Sequence, residues 1–141
     1  IFAAFIGVSG LTALASGAVQ ALHASPIAAI AAMAVALLLL GSFLDGMALM
    51  LLTTPIFLPI ATDLGMSPIW FGIFLVRAME IGFVHPPVGM NVYVIHGLAK
   101  DIPLTTVFKG IVPFLLTDFL HLALLIAVPS LALALPNWLG S

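Results

Sequence analysis

The chain has 141 residues, of which 64% are hydrophobic and only 6% are charged. A soluble globular domain carries roughly 25% charged residues, and a domain of similar size leaves about a third of its surface in water. The composition therefore excludes a water-soluble domain and predicts an all-α integral membrane protein in a lipid bilayer. The net charge of −2 does not indicate a nucleic-acid partner, and the lack of cysteine excludes disulfides and thiolate metal sites.

The first hydrophobic stretch, residues 1–24, is predicted to be a transmembrane helix, because about 20 apolar residues span a bilayer. The chain begins at Ile1 without a basic region or a cleavage site, so we do not interpret this stretch as a signal peptide. We expect the chain to be a fragment that works with further polypeptide. Ser25 is the predicted N-cap of the next helix, with Pro26 at its first position.

Residues 25–62 contain two short apolar stretches around a polar tip at residues 41–46, Gly-Ser-Phe-Leu-Asp-Gly. The stretch before the tip, residues 27–40, would be roughly 21 Å long as a helix, which is less than the hydrocarbon core of about 30 Å. The stretch after the tip is similarly short. This pattern favours a re-entrant helical hairpin, which enters and leaves the membrane on the same side. One long helix that ends near Asp45 is the alternative.

Residues 67–98 are predicted to form a discontinuous transmembrane helix that is broken at residues 83–89, Phe-Val-His-Pro-Pro-Val-Gly. Ser67 is the predicted N-cap. Pro86 and Pro87 remove two backbone donors and cannot lie inside a regular helix. The residue before each proline is also pushed towards extended geometry. Apolar sequence then resumes, so the chain crosses the membrane as two half-helices.

The C-terminal part is predicted to begin with a loop and a short interfacial helix over residues 99–110. The last transmembrane helix is predicted over residues 111–135, and Trp138 suits a membrane interface. Lys100 and Lys109 both precede this span, and the positive-inside rule places their loop in the cytoplasm.

The two interruptions are the candidate binding sites. Backbone groups freed by a break cannot face lipid unsatisfied, so breaks occur where protein or a water-filled cavity takes up those groups. Secondary transporters use such breaks to bind Na⁺ and anionic substrates. Asp45 flanks the tip and Glu80 flanks the break. We therefore expect a carrier that binds a small carboxylate and Na⁺ at the two interruptions.

Each polar residue near the interruptions has a structural alternative. Glu80 either supports a cation site or only pairs with Arg77, which lies three positions earlier on the same helix face. Asp45 is either a ligand or the cap of a helix at the tip. Asn91 is either a ligand or the cap of the resumed helix. His85 is either a ligand or a polar loop residue that satisfies backbone groups.

Asp118 and His121 share one face of the last span, where an interhelical hydrogen bond is favoured over a proton-handling or metal-binding pair. Ser9 lies in a Gly-x-Ser-Gly pattern like that around the serine of rhomboid intramembrane proteases, and with His121 it would form a Ser–His dyad. Small residues recur in membrane helices because they allow close packing. A rhomboid-like protease is therefore kept only as the alternative function.

An ordered series of motifs resembles the large membrane subunit of the TRAP transporters (tripartite ATP-independent periplasmic transporters, DctM-like). The motifs are Gly-Ser-Phe-Leu-Asp at 41–45, Thr-Pro-Ile-Phe-Leu-Pro at 54–59, Leu-Gly-Met-Ser-Pro-Ile-Trp-Phe-Gly at 64–72, and Glu-Ile-Gly-Phe-Val-His-Pro-Pro-Val-Gly-Met-Asn at 80–91. Residues 115–139 are similar to the C-terminus of that family. The resemblance covers nearly the whole chain.

The resemblance implies a Na⁺-coupled importer of small organic anions such as dicarboxylates in the bacterial inner membrane, and not an enzyme. The chain would correspond to about the last third of the large subunit, and thus to half of an inverted-repeat elevator-type transporter. The implied partners are a small membrane subunit, a periplasmic substrate-binding protein and the remainder of the large subunit. No cofactor or metal other than Na⁺ is implied.

The implied substrate and ion site combines residues of the tip and of the break, with two charged residues in support. The binding residues are Gly41, Ser42, Asp45, Gly82, His85, Pro86, Pro87, Gly89 and Asn91, and the supporting residues are Arg77 and Glu80. The chain departs from the family at His85, where Thr usually precedes the double proline, and at Ala78, near which a polar residue is usual. Imidazole is a poor Na⁺ ligand, so we expect backbone carbonyls to dominate the Na⁺ site.

Overall fold

The computed structural model describes residues 9–10, 17, 25–86 and 88–139. This part of the chain is helical and contains no strand. Its helices are α1 (Pro26–Gly41), α2 (Gly46–Asp63), α3 (Pro68–Val84), α4 (Met90–Leu98), α5 (Leu104–Ala127) and α6 (Ser130–Leu139). The predicted first span, residues 1–24, lies outside the described residues except for Ser9, Gly10 and Gly17, and it stays a prediction.

Two helices begin as their sequences predict. The Ser25 hydroxyl accepts a hydrogen bond from the Ala28 N–H at 3.3 Å, and Pro26 follows at the first helical position. The Ser67 hydroxyl accepts from the Ile69 N–H at 3.2 Å. Each cap satisfies a backbone donor that the first turn of a helix leaves without an intrahelical partner. Both predicted N-caps are therefore confirmed.

Helix α3 is the centre of the described structure, because it packs against each of the other five helices. Its Trp70 and Phe74 rings stack at a centroid distance of 5.1 Å and are completely buried. The Trp70 indole N–H donates to the Leu125 carbonyl of α5 at 3.0 Å. The hydrophobic core therefore lies around α3, which carries the residues before the break.

Two helices, α2 and α5, are long and apolar enough to cross a membrane by length and composition. Much of α5 is exposed, including Phe114, Leu116 and Leu120. Such apolar surface suits lipid or further membrane polypeptide better than water. The re-entrant path predicted for residues 25–62 stays a prediction.

Helix α5 differs from the sequence expectation of a separate interfacial helix within residues 99–110. It runs without interruption from Leu104 and includes Pro113. Pro113 removes the donor for the Lys109 carbonyl, but both residues are exposed, so this carbonyl can find another partner. One continuous helix is therefore compatible with the proline.

The predicted last span, residues 111–135, is divided in the structure. Helix α5 ends at Ala127 and α6 begins at Ser130. Pro129 lies between them, and Val128 before it has a φ of −130° and a ψ of 75°, outside the helical region. A proline disfavours helical geometry at the preceding residue, which explains why the helix ends here.

Candidate functional site

The tip between α1 and α2 is held by side-chain caps. The Asp45 carboxylate accepts hydrogen bonds from the Met47 N–H at 3.0 Å and the Ala48 N–H at 3.1 Å, so it is the N-cap of α2. From the sequence, Asp45 is either a cap or a ligand. The contacts of its side chain in this structure are those of a cap.

The break between α3 and α4 covers residues 85–89, inside the range predicted for it. His85, which precedes Pro86, has the extended geometry expected before a proline, with a φ of −72° and a ψ of 129°. Gly89 ends the break with a φ of +48°, a left-handed conformation that favours glycine. A Cβ atom on Gly89 would also lie 3.0 Å from the Val84 carbonyl group. Pro87 lies outside the described residues.

The tip and the break meet through two glycines. A Cβ atom on Gly82 of α3 would lie 2.9 Å from the Leu38 carbonyl oxygen and 3.0 Å from the Gly41 Cα atom of α1. Real Cβ atoms essentially never come so close to backbone, so the missing side chain is what allows the two helices to touch here. The two predicted regions are therefore in direct contact.

Ser42 strengthens the same contact with its side chain. Its buried hydroxyl lies 3.0 Å from the Leu38 carbonyl oxygen and 3.3 Å from the Gly82 carbonyl oxygen, to which it donates. A hydroxyl has one hydrogen, so the two carbonyls share a single donor. The Leu38 carbonyl oxygen also accepts from the Ser42 N–H at 3.2 Å, so both of its lone pairs are used. The Gly82 carbonyl keeps capacity for a cation, because the residue four positions later is Pro86, which has no N–H.

The helix ends around this contact offer both signs of partial charge. Helices α1 and α3 both end here, and the C-terminal end of a helix carries partial negative charge that favours a cation. Helices α2 and α4 both begin here, and the N-terminal end favours an anion. The Gly46 position at the start of α2 lies against the Phe83 ring, where an added Cβ atom would be 3.3 Å from it. The arrangement can thus hold a cation and a carboxylate close together.

His85 and Asn91, two of the predicted site residues, do not take part in the contact between α1 and α3. His85 is half-buried, and its ring meets the Phe119 ring of α5 edge to face at a centroid distance of 5.7 Å. Asn91 is exposed in the first turn of α4, where Gly89 is the N-cap and no side chain caps the helix. The alternative that Asn91 caps the resumed helix is therefore wrong. The histidine contact was not predictable, because it joins residues on different helices.

The charged residues form a separate cluster that joins α3 to α5. An Arg77 Nη1 donates to Glu80 Oε2 at 2.6 Å, and Arg77 Nη2 donates to Asp118. The Arg77–Glu80 pair and an interhelical hydrogen bond for Asp118 are both expected from the sequence, but the pairing of Asp118 with Arg77 is not. Within the described ranges, no group of three His, Cys, Asp or Glu residues could hold a metal ion.

An apolar, helical chain with two interrupted helices in contact has the features of an integral membrane protein, in which irregular backbone is tolerated only inside protein or beside a cavity. Comparison with known proteins agrees. The family described as "Tripartite ATP-independent periplasmic transporter, DctM component" matches residues 1–131. The chain belongs to this family, whose members are transporter permeases and not enzymes.

Curated relatives of the chain include large permease proteins for different substrates. The C4-dicarboxylate TRAP transporter large permease protein DctM of Pseudomonas aeruginosa is 41% identical over 106 residues, which are 75% of this chain and 25% of the relative. The protein of the same name from Rhodobacter capsulatus is 43% identical over 104 residues, 74% of this chain and 23% of the relative. The sialic acid TRAP transporter large permease protein SiaM of Vibrio cholerae is 39% identical over 101 residues, 72% of this chain and 23% of the relative.

The chain spans about a quarter of the length of these relatives. The family assignment replaces the rhomboid-like protease based on Ser9 and His121, which none of these relatives supports.

Proposed function

We propose that the chain forms part of the large membrane subunit of a Na⁺-coupled importer of a small organic anion. The observation that carries this proposal is the buried contact between the tip and the break, in which the Ser42 hydroxyl lies 3.3 Å from the Gly82 carbonyl oxygen. Family membership supports it, since relatives carry the names of C4-dicarboxylate and sialic acid transporters. Both substrates are carboxylates.

The Na⁺ ion is assigned to the oxygen atoms where α1 and α3 end. Alkali and alkaline-earth cations are bound by oxygen ligands, and unwound carbonyls and helix C-terminal ends serve this purpose in transporters. The Gly82 carbonyl and the Ser42 hydroxyl are groups of this kind at the contact. His85 is not assigned to the Na⁺ ion in this proposal, because imidazole is a poor Na⁺ ligand and the ring packs against Phe119.

The substrate carboxylate is assigned to the helix starts at the same place. The first N–H groups of α4 lack a side-chain cap, and a helix N-terminus attracts anions. Asp45 occupies the start of α2 as a cap, so it acts by shaping the tip. In this proposal Na⁺ neutralises part of the substrate charge, which couples the two binding events.

Helices α1 and α2 are proposed to be the two arms of a re-entrant hairpin. At 1.5 Å per residue, α1 is about 24 Å long, which is shorter than a hydrocarbon core of about 30 Å. The hairpin and the broken helix would move together as part of an elevator-type transport domain. The whole subunit would be a multi-pass protein of the bacterial inner membrane.

The proposed partners follow from the tripartite character of the family. They are a small membrane subunit, a periplasmic substrate-binding protein and the remainder of the large subunit. The chain spans about a quarter of its relatives, so the remainder is required to complete the transport path.

The test is Na⁺-driven uptake by the complete transporter in proteoliposomes. We expect Ser42→Ala to raise the Na⁺ concentration needed for half-maximal uptake about tenfold, which corresponds to about 1.4 kcal/mol. Thr53→Val is the matched control, because the buried Thr53 hydroxyl donates only to the Leu49 carbonyl of its own helix, at 2.8 Å. Unchanged Na⁺ dependence in Ser42→Ala would remove the proposed cation site.

A further inference from the structure

One face of α3 is left uncovered although the helix is central to the structure. Along this face Ile69, Gly72, Val76 and Glu80 recur every three or four residues, and all of them are exposed. A cavity of about 470 Å³ lies beside this face and is lined by Gly72, Ile73, Val76, Arg77 and Glu80. We call this cavity the α3 groove.

The α3 groove carries charge on a helix that the sequence predicts to be part of a membrane-crossing segment. Glu80 lies about 18 Å along the axis from Pro68, so on that predicted path it would be near the middle of a hydrocarbon core of about 30 Å. The Glu80 side chain is 52% exposed. Ionised side chains at this depth face protein or a water-filled cavity, because exposure to hydrocarbon is costly. The groove therefore requires a polar occupant in the assembled protein.

The charges within the cluster do not balance. Arg77 is a single cation between two carboxylates, those of Glu80 and Asp118. The cluster therefore carries one surplus negative charge. Glu80 lines the groove and is more exposed than Asp118, at 52% against 30%, so the surplus lies on the groove side of the cluster. A cationic group from outside would balance the cluster, since buried charges are stable only when paired.

The shape of the groove fits a helix. Gly72 lies about two turns before Glu80 on the same face, and an added Cβ atom there would meet nothing within 4 Å. A small residue on a helix surface lets a neighbouring membrane helix approach closely. The space above Gly72 can therefore receive the side chains of a neighbouring helix.

We propose that the α3 groove receives a transmembrane helix from the part of the large subunit outside this chain, and that this helix places a lysine or arginine beside Glu80. The remainder of the large subunit is long enough to supply this helix, because about three quarters of each relative lies outside the matched part. A second copy of the same face would bring Glu80 next to Glu80, and the repulsion between the carboxylates disfavours it. This proposal rests on family membership and not on the proposed Na⁺ site.

The first experiment places a photo-cross-linking amino acid, p-benzoylphenylalanine, at Val76 of the full-length subunit in native membranes. We expect an intramolecular adduct with an apolar segment that has a lysine or arginine within about four residues, the reach of one helical turn. Leu120 is the control position, since it is 70% exposed and lies roughly 200° around α5 from Asp118. Its probe should not reach the same segment.

Three results would overturn the proposal. They are an adduct at Val76 with a second copy of the subunit, an adduct with lipid alone, and an adduct with a segment that has no basic residue nearby. The first would indicate self-association, and the second would indicate a lipid-facing groove.

The second experiment tests the charge of the occupant. We expect Glu80→Lys to lower the yield of folded transporter about tenfold or more, because it places a cation against a cation. Replacement of the basic residue found by cross-linking with glutamate should restore the yield in the Glu80→Lys background. Absence of rescue would contradict a direct pairing.

The third experiment does not depend on the stability of a charged variant. We expect a Val76→Cys thiol to react with a membrane-impermeant methanethiosulfonate on the order of ten times more slowly than an Asp101→Cys thiol, because the reactive thiolate forms in water. Asp101 is exposed in the loop before α5. Equal rates would mean that water, and not a helix, fills the groove.

Discussion

Two of the contacts that α3 makes with its neighbours, those with α1 and α5, differ in chemistry. Against α1, two glycines and a serine bring backbone to backbone without any charged group. Against α5, Arg77 of α3 forms an ion pair with Asp118, in addition to the apolar packing around Trp70. The uncharged contact leaves the Gly82 carbonyl oxygen with capacity to accept a cation, whereas the Arg77 and Asp118 charges pair with each other. In an apolar chain, the most conspicuous charges thus tie helices together, and the candidate ligands are backbone groups.

The largest expected effect tests the glycine contact. We expect Gly82→Ala to destabilise the folded transporter by about 3 kcal/mol. The new Cβ atom would clash with backbone atoms of α1, which cannot move aside as a flexible side chain could. The measurement is unfolding by sodium dodecyl sulfate in mixed micelles. Gly97→Ala is the control, because Gly97 also lies within a helix but has open space around it. Equal stability of both variants would mean that α1 and α3 do not touch.

The next effect tests the ion pair. We expect Arg77→Met to destabilise by about 2 kcal/mol, because it leaves the partly buried Asp118 carboxylate and the exposed Glu80 carboxylate without a cation. In the same unfolding assay, Asp118→Asn should cost less, since Arg77 keeps its bond to Glu80 at 2.6 Å. Additive effects in the double variant would show that Arg77 and Asp118 do not interact.

A smaller effect tests the geometry of the break. We expect Gly89→Ala to cost about 1 to 2 kcal/mol more than Gly65→Ala. Both glycines have positive φ angles, +48° and +82°, but only the Gly89 position is crowded by Val84. The comparison separates the effect of steric crowding from that of the positive φ angle. Equal destabilisation by the two variants would show that the Gly89 position is not crowded.

The smallest effect tests the role of Asp45. We expect Asp45→Ala to cost about 1 kcal/mol, the usual cost of losing an N-cap, and Asp45→Ser to retain most of the stability. Uptake by Asp45→Ser should stay close to that of the unchanged protein. Loss of uptake in a stable Asp45→Ser variant would make Asp45 a ligand and not only a cap.

Local features were predictable from the sequence because they depend on neighbouring residues. Ser25 and Ser67 each precede a proline and cap a helix as expected. The break follows from Pro86 and Pro87, and its position in the structure lies within the predicted range. The contact between tip and break was inferred only from the family resemblance, since residues near positions 42 and 82 have no local relation.

Long-range and boundary features were less predictable. The Arg77–Asp118 pair joins residues 41 positions apart, and a single sequence does not match charges across that distance. Asn91 appeared suited to cap α4, but the left-handed Gly89 takes that position. The end of α5 was placed too late because the continuous apolar sequence around Pro129 outweighed the proline.

The hydrogen bond from Trp70 to the Leu125 carbonyl has a consequence for how α5 can end. In a regular helix this carbonyl would accept from the N–H of the fourth following residue, but that residue is Pro129, which has none. The Trp70 indole supplies the missing donor at 3.0 Å. A tryptophan on one helix thus compensates for a proline just beyond the end of another, so that α5 can end although its Leu125 carbonyl lies in the core.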